Sequence, residues 1–291
     1  MAPFATPADT DVHGAYRVPS TTGPLLRFRD RLGTRRHPAV FGRYHLYAAW
    51  SCPWSQQVLI TRALSELTDA VTVGYVDERR DGRGWAFRET EGPDEVNGFA
   101  LLREAYDATV GAEFDGHIAV PLLWDRRTGT VVSNDHHAIG IDLTRCFGSP
   151  TTYPAAYAGE IDQLDEWLGP AVNYGVAEAA SDPGARAELL TAFERLDAIL
   201  AHRRYLVADQ ITEADIRLWV TLVRYDVGPN AGGAIGPRLP AFPNLWEYAW
   251  DLYQHPAFHR TTRFAAFSRP GAVQLDWGRP PGHAAPSPAP G

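Results

Sequence analysis

Cys52 stands where an aromatic-rich apolar run, Tyr44-His45-Leu46-Tyr47-Ala48-Ala49-Trp50, passes through Ser51 into Cys52-Pro53. After it, Val58, Leu59, Ile60, Ala63, Leu64 and Leu67 recur at helical spacing. A strand, then Cys-Pro, then an amphipathic helix puts a sulfur at a helix amino end. Unpaired N–H groups and the positive end of the helix dipole stabilise an anion there. A thiol so placed is expected to ionise below the ~8.5 of a free cysteine and to be nucleophilic at neutral pH. Pro53 suits the first helical turn because that turn has no use for its missing N–H. The bland alternative is a buried structural thiol, and the local pattern favours the reactive one.

The run Cys52-Pro53-Trp54-Ser55 has serine where a dithiol oxidoreductase carries its second cysteine. The other cysteine, Cys146, is expected at the far end of a different helix as a packed thiol. A mixed disulfide on Cys52 must then be resolved by an external small thiol, so the site should bind one. Val120-Pro121 enters an apolar strand, and prolines in that setting are often cis. Such a loop can offer backbone groups to an extended thiol, although an ordinary edge-strand proline would read the same. Asn134-Asp135-His136-His137 opens another helix, where N–H groups could hold a carboxylate and Asp135 an ammonium. Adjacent histidines on a helix point in different directions, and no Cys/His cluster has zinc spacing. No metal is expected.

The elements that must position these groups can be read from the periodicities. Val71-Thr72-Val73-Gly74-Tyr75-Val76 reads as a second strand, giving a β–α–β unit with a parallel pair. Residues 77–118 read as a loop-like insert with a helical patch near Leu101–Ala108. Ala119-Val120-Pro121-Leu122-Leu123-Trp124 and Thr130-Val131-Val132, joined by a turn at Asp125–Gly129, read as a hairpin. Ser133-Asn134 offers a helix start for Ile139, Ile141 and Leu143. From Tyr157 onward the periods are helical: Ile161, Leu164, Trp167 and Leu168, then Leu189 to Leu200. Thr212-Glu213-Ala214-Asp215 reads as a capping box with Asp in place of Glu. The helix that follows is apolar nearly all round and therefore central. A further helix is expected around Leu245–Leu252. The organisation is thus an N-terminal extension (1–42), a small α/β thioredoxin-like thiol-binding domain (43–150), an all-α domain (151–270) and a partly disordered Pro-rich tail (271–291).

Composition narrows the function classes. The chain has 291 residues and a net charge of −8, which argues against a nucleic-acid surface. Nine Trp, twelve Tyr and twelve Phe suit an aromatic-lined cleft for small molecules. No apolar run approaches the roughly 20 residues of a membrane span, and the amino end lacks a signal-peptide pattern. A cytoplasmic protein with reduced thiols is expected. All 27 basic residues are arginine, which excludes a catalytic lysine and, with abundant Ala, Gly and Pro, suggests a GC-rich coding genome.

With these residues in place, the chain resembles the Xi-class glutathione transferases, also called glutathionyl-hydroquinone reductases. The matching segments are Tyr44–Tyr47 with Cys52-Pro53-Trp54, Gly84-Trp85-Ala86-Phe87, Leu101–Tyr106, Val120–Asp125 with Val132-Ser133-Asn134, Thr212–Leu218 with Thr221–Asp226, and Pro243–Trp246 with Asp251–Gln254. The likeness runs from about Tyr44 to Thr262. It implies a glutathione-transferase fold, a homodimer, and a cysteine that attacks the sulfur of a thioether conjugate so that a hydroquinone leaves. Carried onto this chain, Cys52 is the nucleophile. Trp54, Trp85, Val120, Pro121, Asp135 and His136 surround the thiol cofactor. Tyr174, Tyr225 and Phe267 lie near the pocket for a quinone-like or other aromatic substrate.

The chain departs from the family pattern at three places. The acidic-Ser pair expected at the γ-glutamyl end is Asp135-His136. The run after Cys-Pro-Trp is Ser55-Gln56-Gln57 rather than Ala-His-Arg. The family's pocket tyrosines are replaced near Ala177, Pro229 and Phe267. The thiol expected is therefore glutathione or, given the GC-rich composition, mycothiol. The competing readings are a non-catalytic transferase-like binding module and a glutaredoxin-like iron–sulfur carrier.

Overall fold

The computed structural model describes residues 3–20, 24–148 and 150–281, and the chain divides into two compact units. The first runs to Pro154 and includes Thr261–Ala266; the second comprises Ala155–Arg260 and the residues from Phe267 on. The expected helical segment 151–270 therefore gives up Thr261–Ala266 to the first unit.

The first unit holds α1 (Thr10–His13), β1 (Tyr44–Ala48), α2 (Pro53–Leu64), β2 (Val71–Tyr75), α3 (Arg103–Val110), β3 (Leu122–Asp125), β4 (Thr130–Ser133) and α4 (His136–Cys146). The sheet order is β2-β1-β3-β4. The β1–β2 pair is parallel, with Tyr44 opposite Val71, while β1–β3 and β3–β4 are antiparallel. Neighbouring strand residues send their side chains to opposite faces, and the sheet sorts them accordingly. Tyr47, Leu122 and Val131 join Trp85, Phe87, Leu102 and Tyr106 in one core. Leu46, Leu123 and Val132 join Val58, Leu67, Ile139 and Leu143 in the other, where α2 packs on α4. This is the small mixed sheet that the order of elements predicts.

The described part of the first forty-odd residues lies against this unit. Arg31 makes a bidentate pair with Asp142 on α4, and Arg27 reaches Asp115. Arg83 fastens Thr6 and Pro7, and the Asp9 amide donates to Asp81.

The second unit is all helical: α5 (Ala158–Leu168), a π-helical turn over Gly169–Tyr174, α6 (Gly175–Glu178), α7 (Pro183–Leu200), α8 (Glu213–Tyr225), α9 (Pro243–Gln254) and α10 (Pro256–His259). Every residue of α8 is buried, as its all-round apolar pattern predicts. Its capping box forms, with the Thr212 amide and hydroxyl both donating to Asp215. The same carboxylate accepts from the Leu206 amide and the Tyr248 hydroxyl, so the cap also ties down the neighbouring segments. Within the tail expected over 271–291, one of the described residues is packed. Trp277 is 4% exposed and packs against Trp246 and Tyr253, whereas residues 282–291 lie outside the described residues. An indole buries too much apolar area to be left in solvent when a complementary aromatic face is available. No helix among the described residues is long and apolar enough to cross a membrane.

Candidate active site

Cys52 is the N-cap of α2, in extended backbone conformation (φ −78°, ψ 116°), with Pro53 at the first helical position. Its Sγ, half-buried, accepts a hydrogen bond from the Ser55 amide at 3.4 Å. On its other side Sγ donates to the Val120 carbonyl at 3.3 Å. The helix end therefore supplies an N–H to the sulfur in either protonation state, while the carbonyl favours the protonated thiol. The Ser55 side chain also shapes the turn between β1 and α2, because its buried hydroxyl accepts from the Ala49 amide and closes it. Read from the sequence, Ser55 marks only the missing second thiol.

The Val120-Pro121 peptide bond is cis, as its context predicts. The loop before it is held by a residue sequence reasoning missed. The fully buried Tyr106 hydroxyl donates to the Ala119 carbonyl at 2.8 Å and accepts from the Ala119 amide at 3.0 Å. Burial pushes the Tyr106 phenol well above its usual range, so it serves as a neutral donor and acceptor. An aromatic at the end of the 101–106 match was the available signal.

At the start of α4 the helix begins one step later than expected. Ser133 is the last residue of β4, and Asp135 rather than Ser133 or Asn134 is the N-cap, its side chain accepting from the Ala138 amide at 3.3 Å. Ser133 and Asn134 are used elsewhere: the serine hydroxyl donates to the Phe28 carbonyl, and the asparagine accepts from the Phe28 amide. The His136 ring lies 4.5 Å from the Trp54 indole, stacked at 30°, and so links the first turns of α2 and α4. Asp135 is half-buried, with the Arg29 guanidinium 3.8 Å away. Among the described residues no three His, Cys, Asp or Glu side chains are grouped to hold a metal ion.

Trp85 is buried in the core cluster against which Cys52 packs. The Arg80 guanidinium sits 4.2 Å from its ring and 5.0 Å from that of Tyr16, whose hydroxyl meets His117 Nδ1 at 2.8 Å. Cys146, at the last residue of α4, is half-buried in the other cluster, and burial pushes its thiol up.

The three expected pocket residues belong to the second unit and part company there. Tyr174 is 51% exposed at the end of the π-helical turn. Tyr225 is fully buried, donates to the Pro237 carbonyl at 3.1 Å and packs edge-on against Phe193. It is a core residue of α8, every residue of which is buried. Phe267 is half-buried under the Arg224 guanidinium at 4.2 Å.

Comparison with known proteins follows the same outline. Residues 154–249 match the family described as "Glutathione S-transferase, C-terminal domain". The chain is 33% identical over 277 residues to glutathionyl-hydroquinone reductase YqjG of Escherichia coli K12, covering 86% of this chain and 84% of that protein. It is 34% identical over 260 residues to glutathionyl-hydroquinone reductase PcpF of Sphingobium chlorophenolicum, covering 82% of each. Among solved structures, the glutathione-bound form of YqjG superposes with a TM-score of 0.82 at 29% identity, covering 88% of this chain and 96% of that one. A Xi-class transferase from Natrialba magadii gives 0.81 at 30% identity, covering 88% and 90%.

Proposed function

The chain belongs to the glutathione transferase family, alongside the glutathionyl-hydroquinone reductases, and from that premise we propose that it is a cysteine-dependent thiol reductase or transferase acting through a mixed disulfide on Cys52. The observation that carries this reading is the sulfur at the α2 N-cap, bonded by the Ser55 amide and adjoining the Val120 carbonyl.

In the first step the Cys52 thiolate attacks the sulfur of an aromatic thioether. A sulfur–sulfur bond forms, the carbon–sulfur bond breaks, and the aromatic carbon takes its electron pair and a proton to leave as the hydroquinone. In the second step an external thiol attacks the mixed disulfide, releasing the oxidised thiol and restoring the Cys52 thiolate. Ser55 cannot serve as a resolving thiol, so the external thiol is obligatory. The sum is one conjugate and one thiol giving one hydroquinone and one disulfide. The helix N–H lowers the cost of holding the anionic sulfur in each half-reaction.

The thiol's backbone is bound by Val120 beside Pro121, its γ-glutamyl ammonium by Asp135, and its flanks by Trp54, Trp85 and His136. Tyr174 and Phe267 are the remaining candidates for contact with a quinone-like electrophile. Glutathione is the first thiol to test, because YqjG was solved with glutathione bound. Mycothiol is the second, because an imidazole stacked on Trp54 follows Asp135 where the family has serine. The protein acts as a homodimer in the cytoplasm.

The test is turnover of a glutathionyl conjugate of a hydroquinone, followed by chromatography of the hydroquinone and the disulfide. Cys52→Ser is expected to lose about a thousandfold or more in kcat. Wild-type rates in that variant would end the proposal. Mass spectrometry of protein purified without reductant identifies the thiol from the adduct on Cys52.

A further inference from the structure

Two carboxylates converge on the turn that delivers Cys52. Glu78, just beyond β2, accepts from the Trp50 amide at 2.6 Å and from the Ser51 amide at 3.1 Å. These are the N–H groups of the two residues immediately before Cys52. Glu91, 7% exposed, accepts from the Trp50 indole N–H at 3.1 Å and pairs with Arg263 at 2.5 Å. The indole is stacked on Tyr75 at 4.3 Å and 5°, and the Arg263 guanidinium lies 4.3 Å from its ring. Trp50 is therefore held at its backbone, its ring faces and its nitrogen.

The Trp50 and Ser51 amides lie outside α2, in the turn that the Cys52 amide closes on the Ala49 carbonyl at 3.3 Å and the Ser55 hydroxyl closes on the Ala49 amide. The Glu78 carboxylate is the acceptor that fixes the orientation of both amides. Without it, the Cys52 φ and ψ that aim Sγ at the Ser55 amide would be one conformation among several. A carboxylate spanning both amides removes that freedom with two charge-assisted bonds. We propose that Glu78 is the positioning residue of Cys52, clamping the Trp50-Ser51 backbone so that the sulfur sits on the α2 N-cap. This deepens the proposed function and rests on Cys52 being its nucleophile.

Burial and the nearby Glu91 push the Glu78 carboxyl up, against the pull of the Trp50 and Ser51 donors. The charged and titratable groups around the clamp are Glu91 on the insert, Arg263 on the returning segment and Tyr75 at the end of β2. Removing the Glu78 charge alone would favour a neighbouring thiolate, whereas removing the clamp disfavours it. The two effects have opposite signs, so one experiment separates them.

The experiment is iodoacetamide alkylation of the full chain across pH, with adducts on Cys52 and Cys146 assigned by mass spectrometry, in wild type, Glu78→Gln and Glu78→Ala. Both variants are expected to alkylate Cys52 about tenfold more slowly at neutral pH, with the midpoint of the profile displaced upward by about one unit. A profile that superposes on wild type, or one displaced downward, overturns the clamp. A wild-type Cys52 that alkylates no faster than a free thiol overturns the proposed function instead. Should the variants fail to fold, the amide resonances of Trp50 and Ser51 are followed by pH in the wild-type protein. The clamp predicts one shared inflection for the two, and independent or absent inflections overturn it.

Discussion

The sulfur of Cys52 lies 3.3 Å from the carbonyl oxygen of Val120, sixty-eight residues further along the chain. When protonated, the thiol donates to that oxygen, so the carbonyl proposed to receive a ligand N–H is then occupied by Cys52 itself. A thiol analogue that takes the Val120 carbonyl displaces that proton while the Ser55 N–H stays on the sulfur, which favours the thiolate. Binding of S-methylglutathione near the Cys52 midpoint is expected to release roughly half a proton. Calorimetry in two buffers of different ionisation enthalpy measures it. Equal enthalpies in both buffers, or unchanged release in Cys52→Ala, contradicts the linkage.

Asp135 combines a structural and a proposed binding role, and two substitutions separate them. Asn caps a helix as well as Asp does, whereas Ala removes the bond to the Ala138 amide and costs about 1 kcal/mol. Asp135→Asn is expected to keep the wild-type Tm while raising the KM for the thiol about tenfold or more. Asp135→Ala should show both defects. An unchanged KM in Asp135→Asn removes the ammonium contact from the site.

His45 gives the fold a pH limb of its own. Burial on β1 pushes its imidazole down to about 4, and Nδ1 is bonded to the Thr72 hydroxyl at 2.7 Å. The unfolded chain takes up the proton near pH 6.5 and the folded one does not. The stabilisation is thus complete above pH 6.5 and is lost as the pH falls toward 4. Between pH 7 and pH 4.5 this amounts to roughly 2 to 3 kcal/mol. His45→Gln should lose that much less than wild type in urea titrations at the two pH values, and parallel losses would assign the limb elsewhere.

Tyr225 and Tyr174 are expected to separate stability from substrate binding. Tyr225→Phe gives up the bond to the Pro237 carbonyl and should cost about 1 kcal/mol with kcat and KM unchanged. Tyr174→Ala, at a half-exposed position, should leave the Tm in place and raise the KM for the aromatic conjugate severalfold. A turnover defect in Tyr225→Phe would return that residue to the pocket.

The sequence by itself determined the features that depend on neighbours in the chain. A thiol followed by proline between a strand and an amphipathic helix is an N-cap wherever the rest of the chain goes. The Thr212–Asp215 box and the Leu122–Val132 hairpin are local in the same sense. Apolar runs and the turns between them gave the β–α–β unit and the hairpin, whereas the sorting of side chains to the two faces follows from the period of the strands once they pair.

Tertiary structure alone decided which polar groups meet across long separations. Glu78 at the Trp50 and Ser51 amides, Tyr106 at Ala119, and Asp135 rather than Ser133 as the α4 cap depend on the packing of distant segments. So does the burial of Tyr225 and Trp277, since an apolar pattern says that a residue will be covered and not which surface covers it. Hydrogen bonds are directional and short, and their partners exist only after the sheet has closed and the helices have docked. Periodicity therefore reveals where the Cys52 sulfur stands, and only the folded chain reveals what holds it there.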